Sequence, residues 1–326
     1  VLKCMDGRLN ISLYTETPPG ILQPFRNIGG KFDLGWPFFQ EVMRDSVNYA
    51  VKDQGRDCII FTTYHFSKGS SHRGCAGFGY DTEGAKAAAF NLKTQFNRVF
   101  GSTERRPVHA VTLGLETDEE ALIFHGSNGQ EFNVAEFKVA ACVDKEAISE
   151  DATKQIVERL QSLYPDMKGE MLRDLIPLVV GNICHIQKIR TSGRPPVELE
   201  HRENCICAGR GFASLHLPNK ALIVGPYSHE WPSAVKTAGT IVAGNLRDGR
   251  ISSDNGILLL VAALYREEEG AFGWKLKEEK VRYLLREAER SLKEGVPELT
   301  PHLSVLAGVV DANTRKFHPL PPNITS

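Results

Sequence analysis

The two halves of this chain repeat one order of strand-like and helix-like segments, and this repeat constrains the fold more than any other feature. In the first half, strands are predicted around Val1–Leu13, at Cys58–Phe61, at Val108–Leu115 and at Ala121–Phe124, and helices are predicted at 33–52 and 81–100. Short apolar strands that alternate with helices are typical of a mostly parallel sheet covered by helices.

The second half contains matches to the first half at corresponding places in that order. They are the strand-like segment Cys205–Leu217, the helix start Glu230-Trp231-Pro232 (compare Gly35-Trp36-Pro37), the apolar strand Ile257–Tyr265 (compare Ile59–Tyr64) and Phe317-His318-Pro319 (compare Phe124-His125-Gly126). We therefore predict an α/β protein with a duplicated domain: a first copy at 1–150, a helical connection at 151–196 and a second copy at 197–326. The two copies are expected to pack as a pseudo-two-fold pair.

Composition narrows the range of partners. The 39 lysines and arginines nearly balance the 40 aspartates and glutamates, so we expect neither a nucleic acid nor an anionic membrane surface as partner. The longest apolar run, Ile257–Tyr265, is too short to span a bilayer. Seven scattered cysteines fit reduced thiols or metal ligands in a cytosolic protein better than a secreted disulfide framework. No basic-then-apolar signal peptide precedes Cys4, and the first residues already read as a strand, so whether a targeting or extension segment belongs ahead of Val1 stays open.

Residues capable of metal chemistry lie where predicted strands end. In an extended chain Cys4, Asp6 and Arg8 project from one face, and His65 and Cys75 follow the next buried strand. Loops that leave the carboxyl ends of parallel strands line the ligand crevice, so these side chains can converge there. Two cysteines and one histidine with a free fourth position form a typical catalytic zinc set.

These residues resemble a known family. The pattern Cys-x-Asp-x-Arg from Cys4 to Arg8, a histidine at a strand end and a cysteine in the next loop resemble the β-class carbonic anhydrases. The segment 25–30 (Phe-Arg-Asn-Ile-Gly-Gly) is similar to the Arg-Asn-Ala-Gly segment of that family. Tyr64-His65-Phe66, the stretch from His72 to Ala76 and the degenerate second copy resemble, more narrowly, the carboxysome shell carbonic anhydrases.

The resemblance implies a role for each of these residues. Cys4, His65 and Cys75 would hold Zn²⁺, Arg8 would keep Asp6 off the metal, and Asp6 would accept a hydrogen bond from the attacking hydroxide. His72 is a candidate proton carrier because the unperturbed pKa of histidine is near neutrality. The common family spacing His-x-x-Cys also leaves His72 as an alternative zinc ligand. We prefer His65, because a strand holds a ligand more rigidly than a loop rich in serine and glycine does.

The second copy lacks the corresponding residues. The segment from Cys205 to Arg210 contains cysteines and an arginine but no aspartate. After the strand that corresponds to the one ending at His65, Arg266 occupies the position of that histidine. Metal binding is therefore expected to be lost there, and the redox state of these two cysteines stays open. The resemblance implies a bacterial zinc lyase that interconverts carbon dioxide and bicarbonate inside the carboxysome and supplies Rubisco. It also implies contact with the carboxysome shell or Rubisco, and a homo-oligomer that is a dimer of pseudo-dimers.

Two other functions remain open at this point. One is a zinc hydrolase of a related small linear molecule such as carbon disulfide, and the other is a zinc-stabilised, non-catalytic scaffold of the shell. Asp6 and Arg8 favour an enzyme over a scaffold, because a structural zinc does not need this pair.

Overall fold

The computed structural model describes residues 1–321 except 19, 102–106, 128, 139–147, 194–195, 214 and 216. The chain forms two compact units. Unit 1 contains Val1–Cys4, Leu9–Pro24 and Gly29–Leu199, whereas unit 2 contains Met5–Arg8, Phe25–Ile28 and the chain from Glu200 onward. Two short N-terminal segments are thus part of the unit formed mainly by the C-terminal part of the chain.

Unit 1 contains a mixed sheet, whose strands are numbered here in chain order. The strands of this sheet that belong to unit 1 are β1 (Leu2–Cys4), β3 (Cys58–Phe66), β4 (Val108–Glu116), β5 (Ala121–His125) and β6 (Glu131–Asn133), and they lie side by side in this order. The pairs β1–β3 and β3–β4 are parallel, whereas β4–β5 and β5–β6 are antiparallel. Most residues of β3, β4 and β5 are buried, as expected for strands inside a sheet that helices cover.

Among its described residues, unit 1 contains the α-helices α1 (Ile11–Tyr14), α2 (Pro37–Asn48), α3 (Thr82–Phe100), α4 (Glu150–Leu163), α5 (Gly169–Ser192) and α6 (Pro196–Leu199). Local features of the sequence explain where two of them begin. Pro37 occupies the first turn of α2, and the Asp81 side chain caps α3 by accepting a hydrogen bond from the Gly84 amide. Within the described ranges, no helix is long and apolar enough to cross a membrane.

Unit 2 contains a second mixed sheet. Its strands β7 (Cys205–Gly209), β8 (Ala221–Val224), β9 (Ile257–Tyr265), β10 (Leu303–Asp311) and β11 (Phe317–Pro319) lie in the order β8-β7-β9-β10-β11. Only the β10–β11 pair is antiparallel among them. The main helices are α7 (Trp231–Arg247) and α8 (Gly270–Gly295).

Backbone hydrogen bonds attach the two N-terminal segments to unit 2. The Ile223 amide donates to the Met5 carbonyl, and the Asn219 amide donates to the Gly7 carbonyl. The short strand β2 (Phe25–Asn27) is held in the same way, since the Gly225 amide donates to the Arg26 carbonyl. Asp6 and Arg8 are therefore anchored in unit 2.

The two sheets share one connectivity, as a duplication requires. The series β1-β3-β4-β5 in unit 1 and the series β7-β9-β10-β11 in unit 2 each consist of two parallel pairs followed by an antiparallel pair. The predicted α/β class with a duplicated, mostly parallel sheet is confirmed. The predicted domain limits stay a prediction, although α4 and α5, which fall in the predicted connection, belong to unit 1.

A buried asparagine attaches α5 to the rest of unit 1. The Asn182 side-chain oxygen accepts a hydrogen bond from the Leu122 amide in β5. Its amide nitrogen donates to the carbonyls of Tyr14 and Glu120. One side chain therefore forms hydrogen bonds with three backbone groups on two other segments. These three groups belong to buried residues, so water cannot replace the asparagine as their partner.

We expect Asn182→Leu to lower the free energy of unfolding of unit 1 by about 3 kcal/mol, because it leaves these three backbone groups without partners. Urea unfolding followed by circular dichroism measures the change. The matched control is Gln161→Leu on the exposed face of α4, which should change stability by less than about 0.5 kcal/mol. Equal effects of the two substitutions would contradict this role of Asn182.

Candidate active site

Two cysteines and a histidine converge in unit 1. Cys4 is the last residue of β1, His65 is the next-to-last residue of β3, and Cys75 lies in the loop that leads from β3 to α3. Their ligand atoms, two Sγ atoms and one ring nitrogen, all lie within 4.8 Å of one another. All three side chains are buried, with 6% or less of each exposed.

The sheet register places the first two of these residues. The parallel pairing of β1 with β3 sets Leu2 opposite Thr62, so the carboxyl ends of both strands reach the same edge of the sheet. The Thr63 hydroxyl donates to the Leu2 carbonyl at 2.9 Å and reinforces this register. The positions of Cys4 and His65 thus follow from backbone pairing.

The loop that carries Cys75 is fixed at both ends. At its start, the Asp118 carboxylate accepts hydrogen bonds from the Ser67 hydroxyl and from the Gly69 amide. At its end, the Cys75 carbonyl accepts hydrogen bonds from the amides of Phe78 and Tyr80. These contacts hold the Cys75 thiol towards Cys4 and His65 although the loop contains many small residues.

A glycine is needed where the chain passes closest to these strands. Gly30 has a φ of +65°, a conformation that L side chains rarely adopt. A Cβ atom built there would lie 3.2 Å from the Thr63 carbonyl oxygen and 3.3 Å from the Cys4 nitrogen. The glycine therefore lets the chain pack directly against the two strands that carry Cys4 and His65.

The electrostatics of this group favour a bound cation. The neighbouring Cys75 thiol, followed by burial, raises the pKa of the Cys4 thiol well above its ordinary value. Two buried thiolates side by side are costly unless a positive charge neutralises them. Two sulfur donors and one imidazole form a set that suits zinc, and three protein ligands leave a position for water or substrate. The buried Cys-His-Cys group thus fits a zinc site.

Asp6 and Arg8 form a buried ion pair in unit 2. The Arg8 guanidinium donates from Nη2 to Asp6 Oδ2 at 2.6 Å and from Nε to Asp6 Oδ1 at 3.1 Å. The Arg8 backbone amide adds a hydrogen bond to Asp6 Oδ1 at 2.9 Å. Both side chains are almost completely buried, so each charge depends on the other for its neutralisation.

The prediction of an extended segment over residues 1–13 is wrong beyond Cys4. Strand β1 ends at Cys4, and residues 6–8 form a turn. The cause is local: the short carboxylate of Asp6 binds the backbone amide two residues later, which is typical of aspartate in turns. The common face of Cys4, Asp6 and Arg8 that strand alternation predicts is therefore not formed.

His72 lies outside the Cys-His-Cys group. It is exposed in a short helical turn, Ser71–Arg73, and its ring packs edge-on against Tyr80 at 5.5 Å between centroids. The structure thus brings His65 to the two cysteines, while the choice between His65 and His72 as ligand stays a prediction.

The cysteines differ in oxidation state. Cys4, Cys58, Cys75, Cys205 and Cys207 are free thiols, whereas Cys184 in α5 is disulfide-bonded. The prediction of reduced thiols therefore holds for these five cysteines and is wrong for Cys184. Cys205 and Cys207 lie on β7 with their Sγ atoms 3.6 Å apart. Among the described residues of unit 2, no histidine joins these two cysteines in a group that could hold a metal ion.

Sequence reasoning missed a third element, a buried carboxylate–histidine pair beside Asp6. His201 Nδ1 lies 3.0 Å from both carboxylate oxygens of Glu203, and His201 Nε2 lies 3.8 Å from Asp6 Oδ2. The Gly7 amide also donates to Glu203 Oε1 at 3.0 Å. The signal in the sequence was a histidine two residues before a glutamate, just ahead of the strand that corresponds to β1.

Comparison with protein families identifies the chain. The family model described as Carboxysome Shell Carbonic Anhydrase, catalytic domain, matches residues 2–194, which is more than half of the chain. The chain belongs to this family. A search of curated proteins gave no match.

Membership of the carboxysome shell carbonic anhydrases implies carbonic anhydrase activity and a location in the carboxysome. The matched range contains the Cys-His-Cys group as well as Asp6 and Arg8. His201 and Glu203 lie beyond its end.

Two histidine variants test which imidazole binds the metal. We expect His65→Ala to lose bound zinc, because it removes one of three donors, and His72→Ala to keep about one zinc per chain. Inductively coupled plasma mass spectrometry of the two purified proteins, with circular dichroism as a check on folding, makes the comparison. Loss of zinc from the His72 variant alone would show that the assignment is wrong.

Proposed function

We propose that this protein is a zinc-dependent carbonic anhydrase that interconverts carbon dioxide and bicarbonate. The observation that supports it most is the buried group of Cys4, His65 and Cys75, followed two residues after Cys4 by the ion-paired Asp6. A bound zinc supplies a Lewis acid that activates water at neutral pH. Side chains of this protein would bind the metal and orient the attacking water.

Cys4, His65 and Cys75 would hold the metal, and their burial keeps competing ligands away from these three donors. Burial of the three side chains also places the reaction in surroundings of low polarity, where fixed charges act strongly. Carbon dioxide is small and apolar, so its entry into such surroundings carries little desolvation cost.

Asp6 orients the attacking water. Its carboxylate accepts a hydrogen bond from that water and so directs an oxygen lone pair towards the carbon of carbon dioxide. Arg8 occupies both carboxylate oxygens, which balances the charge of Asp6 and prevents it from becoming a metal ligand. A zinc site with a purely structural role has no need of such a buried ion pair, and this favours an enzyme over a shell scaffold.

Membership of the family supports a proposal for the setting. Inside a bacterial carboxysome, the enzyme converts bicarbonate to carbon dioxide and so supplies Rubisco. The second copy, in which Arg266 stands at the position of His65, is retained as the structural partner of the first copy. We further propose that two such chains form a dimer of pseudo-dimers.

A stopped-flow assay of carbon dioxide hydration tests the proposed function. The purified chain should accelerate hydration, a chelator should abolish the effect, and added Zn²⁺ should restore it. An inactive protein that contains its full zinc content would contradict the proposal, and hydrolysis of carbon disulfide by the same protein would point to the alternative substrate.

Asp6→Asn separates zinc binding from catalysis. We expect this variant to keep its zinc and to lose about 100-fold in kcat/KM, because an amide cannot replace the charged acceptor that orients the water. The matched control is Asp53→Asn at the exposed last residue of the short helical segment Tyr49–Asp53, which should have normal activity. Activity of the Asp6 variant within about 3-fold of the unchanged protein would rule out this role for Asp6.

A further inference from the structure

We propose that His201, held by Glu203, transfers the proton that carbon dioxide hydration releases from the active site to solvent. The inference rests on the proposed function, in which carbon dioxide and water give bicarbonate and one proton. Water oxygen forms the bond to carbon, and the electron pair of one O–H bond stays on that oxygen. The released proton binds to Nε2 of the neutral His201 imidazole, and a buffer base in solvent then removes it from the imidazolium.

The contacts of His201 fix which nitrogen is available. Nδ1 lies 3.0 Å from both oxygens of Glu203, a carboxylate that can only accept a hydrogen bond, so Nδ1 carries a hydrogen and donates it. Nε2 is then the nitrogen that gains and loses the proton, and it lies 3.8 Å from Asp6 Oδ2. A carboxylate that sets the tautomer of an imidazole in this way also raises its basicity.

Glu203 is itself held rigidly. Oε1 accepts the hydrogen bond from the Gly7 amide, and Asn245 Nδ2 donates to the Glu203 carbonyl at 3.0 Å and to Oε2 at 3.4 Å. A Cβ atom on Gly7 would lie 2.9 Å from Glu203 Oε1, so the turn between Asp6 and Arg8 packs directly on this carboxylate. The same turn therefore positions Asp6 and Glu203 relative to each other.

The charges around His201 allow the imidazole to take up a proton. The charged groups that face it are Glu203, Asp6 and Arg8, which together carry one net negative charge. Burial lowers the pKa of His201, but Glu203 and Asp6 outweigh it, so the pKa is raised above its ordinary value. The protonated imidazole makes the four-residue cluster neutral, which reduces the cost of a charge in this buried place.

Exposure distinguishes His201 from its neighbours. Glu203 and Asp6 have 0% and 4% of their side chains exposed, whereas His201 has 19% exposed. His201 is thus the member of the cluster that combines a position beside Asp6 with access to solvent. Asp6, His201 and Glu203 also have the spacing of a metal site, but the Arg8 guanidinium already binds both oxygens of Asp6 and disfavours a second cation there.

His201→Gln tests the proposal, because glutamine can still donate to Glu203 but cannot carry a proton at neutral pH. At low buffer concentration we expect kcat for hydration to fall at least 10-fold with kcat/KM unchanged, since only the turnover-limiting proton transfer is slowed. Added imidazole should restore kcat. The matched control is His229→Gln, an exposed histidine in a turn of the same unit, which should keep normal kinetics.

Several outcomes would overturn the proposal. An unchanged kcat in the His201 variant at low buffer concentration would do so, and so would a parallel fall of kcat and kcat/KM without rescue by imidazole, which indicates a structural role. The same would follow if His72→Gln produced the loss and rescue instead. If the unchanged protein does not hydrate carbon dioxide, the proposed function fails, and the proton-transfer proposal fails with it.

Glu203→Gln provides a second test that keeps His201 in place, in case the His201 variant does not fold. Without the carboxylate, the pKa of His201 should fall, so the inflection in the pH profile of kcat should move to lower pH. An unmoved inflection in a folded, zinc-containing Glu203 variant would contradict the role of His201.

Discussion

Two buried thiolates beside a buried imidazole are costly to keep in a protein unless a cation binds to them. In the absence of a metal, the neighbouring Cys75 thiol and burial raise the pKa of the Cys4 thiol well above its ordinary value. A divalent cation reverses this, because it converts the mutual repulsion of two thiolates into two strong bonds. The closeness of Cys4, His65 and Cys75 is therefore the feature on which the functional interpretation depends.

The rest of unit 1 serves to hold these three residues together. The β1–β3 register sets Cys4 and His65, Asp118 anchors the loop of Cys75, and Gly30 allows the chain to pack against both strands. Unit 2 contributes a separate polar cluster in which Asp6, Arg8, His201 and Glu203 neutralise one another. Such clusters are stable only when nearly every member has a partner, which explains why these residues are so completely hydrogen-bonded.

Much of the fold could be predicted from the sequence, because buried parallel strands and amphipathic helices differ in period and in the residues at their ends. Ile257–Tyr265 and the helix capped by Asp81 are examples. The turn at Asp6 was missed because a local side-chain hydrogen bond replaced strand geometry after Cys4. His201 and Glu203 could not be placed, since their closeness to Asp6 depends on contacts between residues nearly 200 positions apart in the chain.

X-ray absorption at the zinc K-edge of the purified chain tests the central claim most directly. With one zinc per chain, the spectrum should show two sulfur neighbours at about 2.3 Å, one imidazole nitrogen at about 2.0 Å and one further light atom. Loss of one sulfur neighbour in Cys75→Ser would then confirm that this thiol is a ligand. A four-sulfur shell, a shell of oxygen and nitrogen only, or a purified protein that is active without zinc would contradict the account.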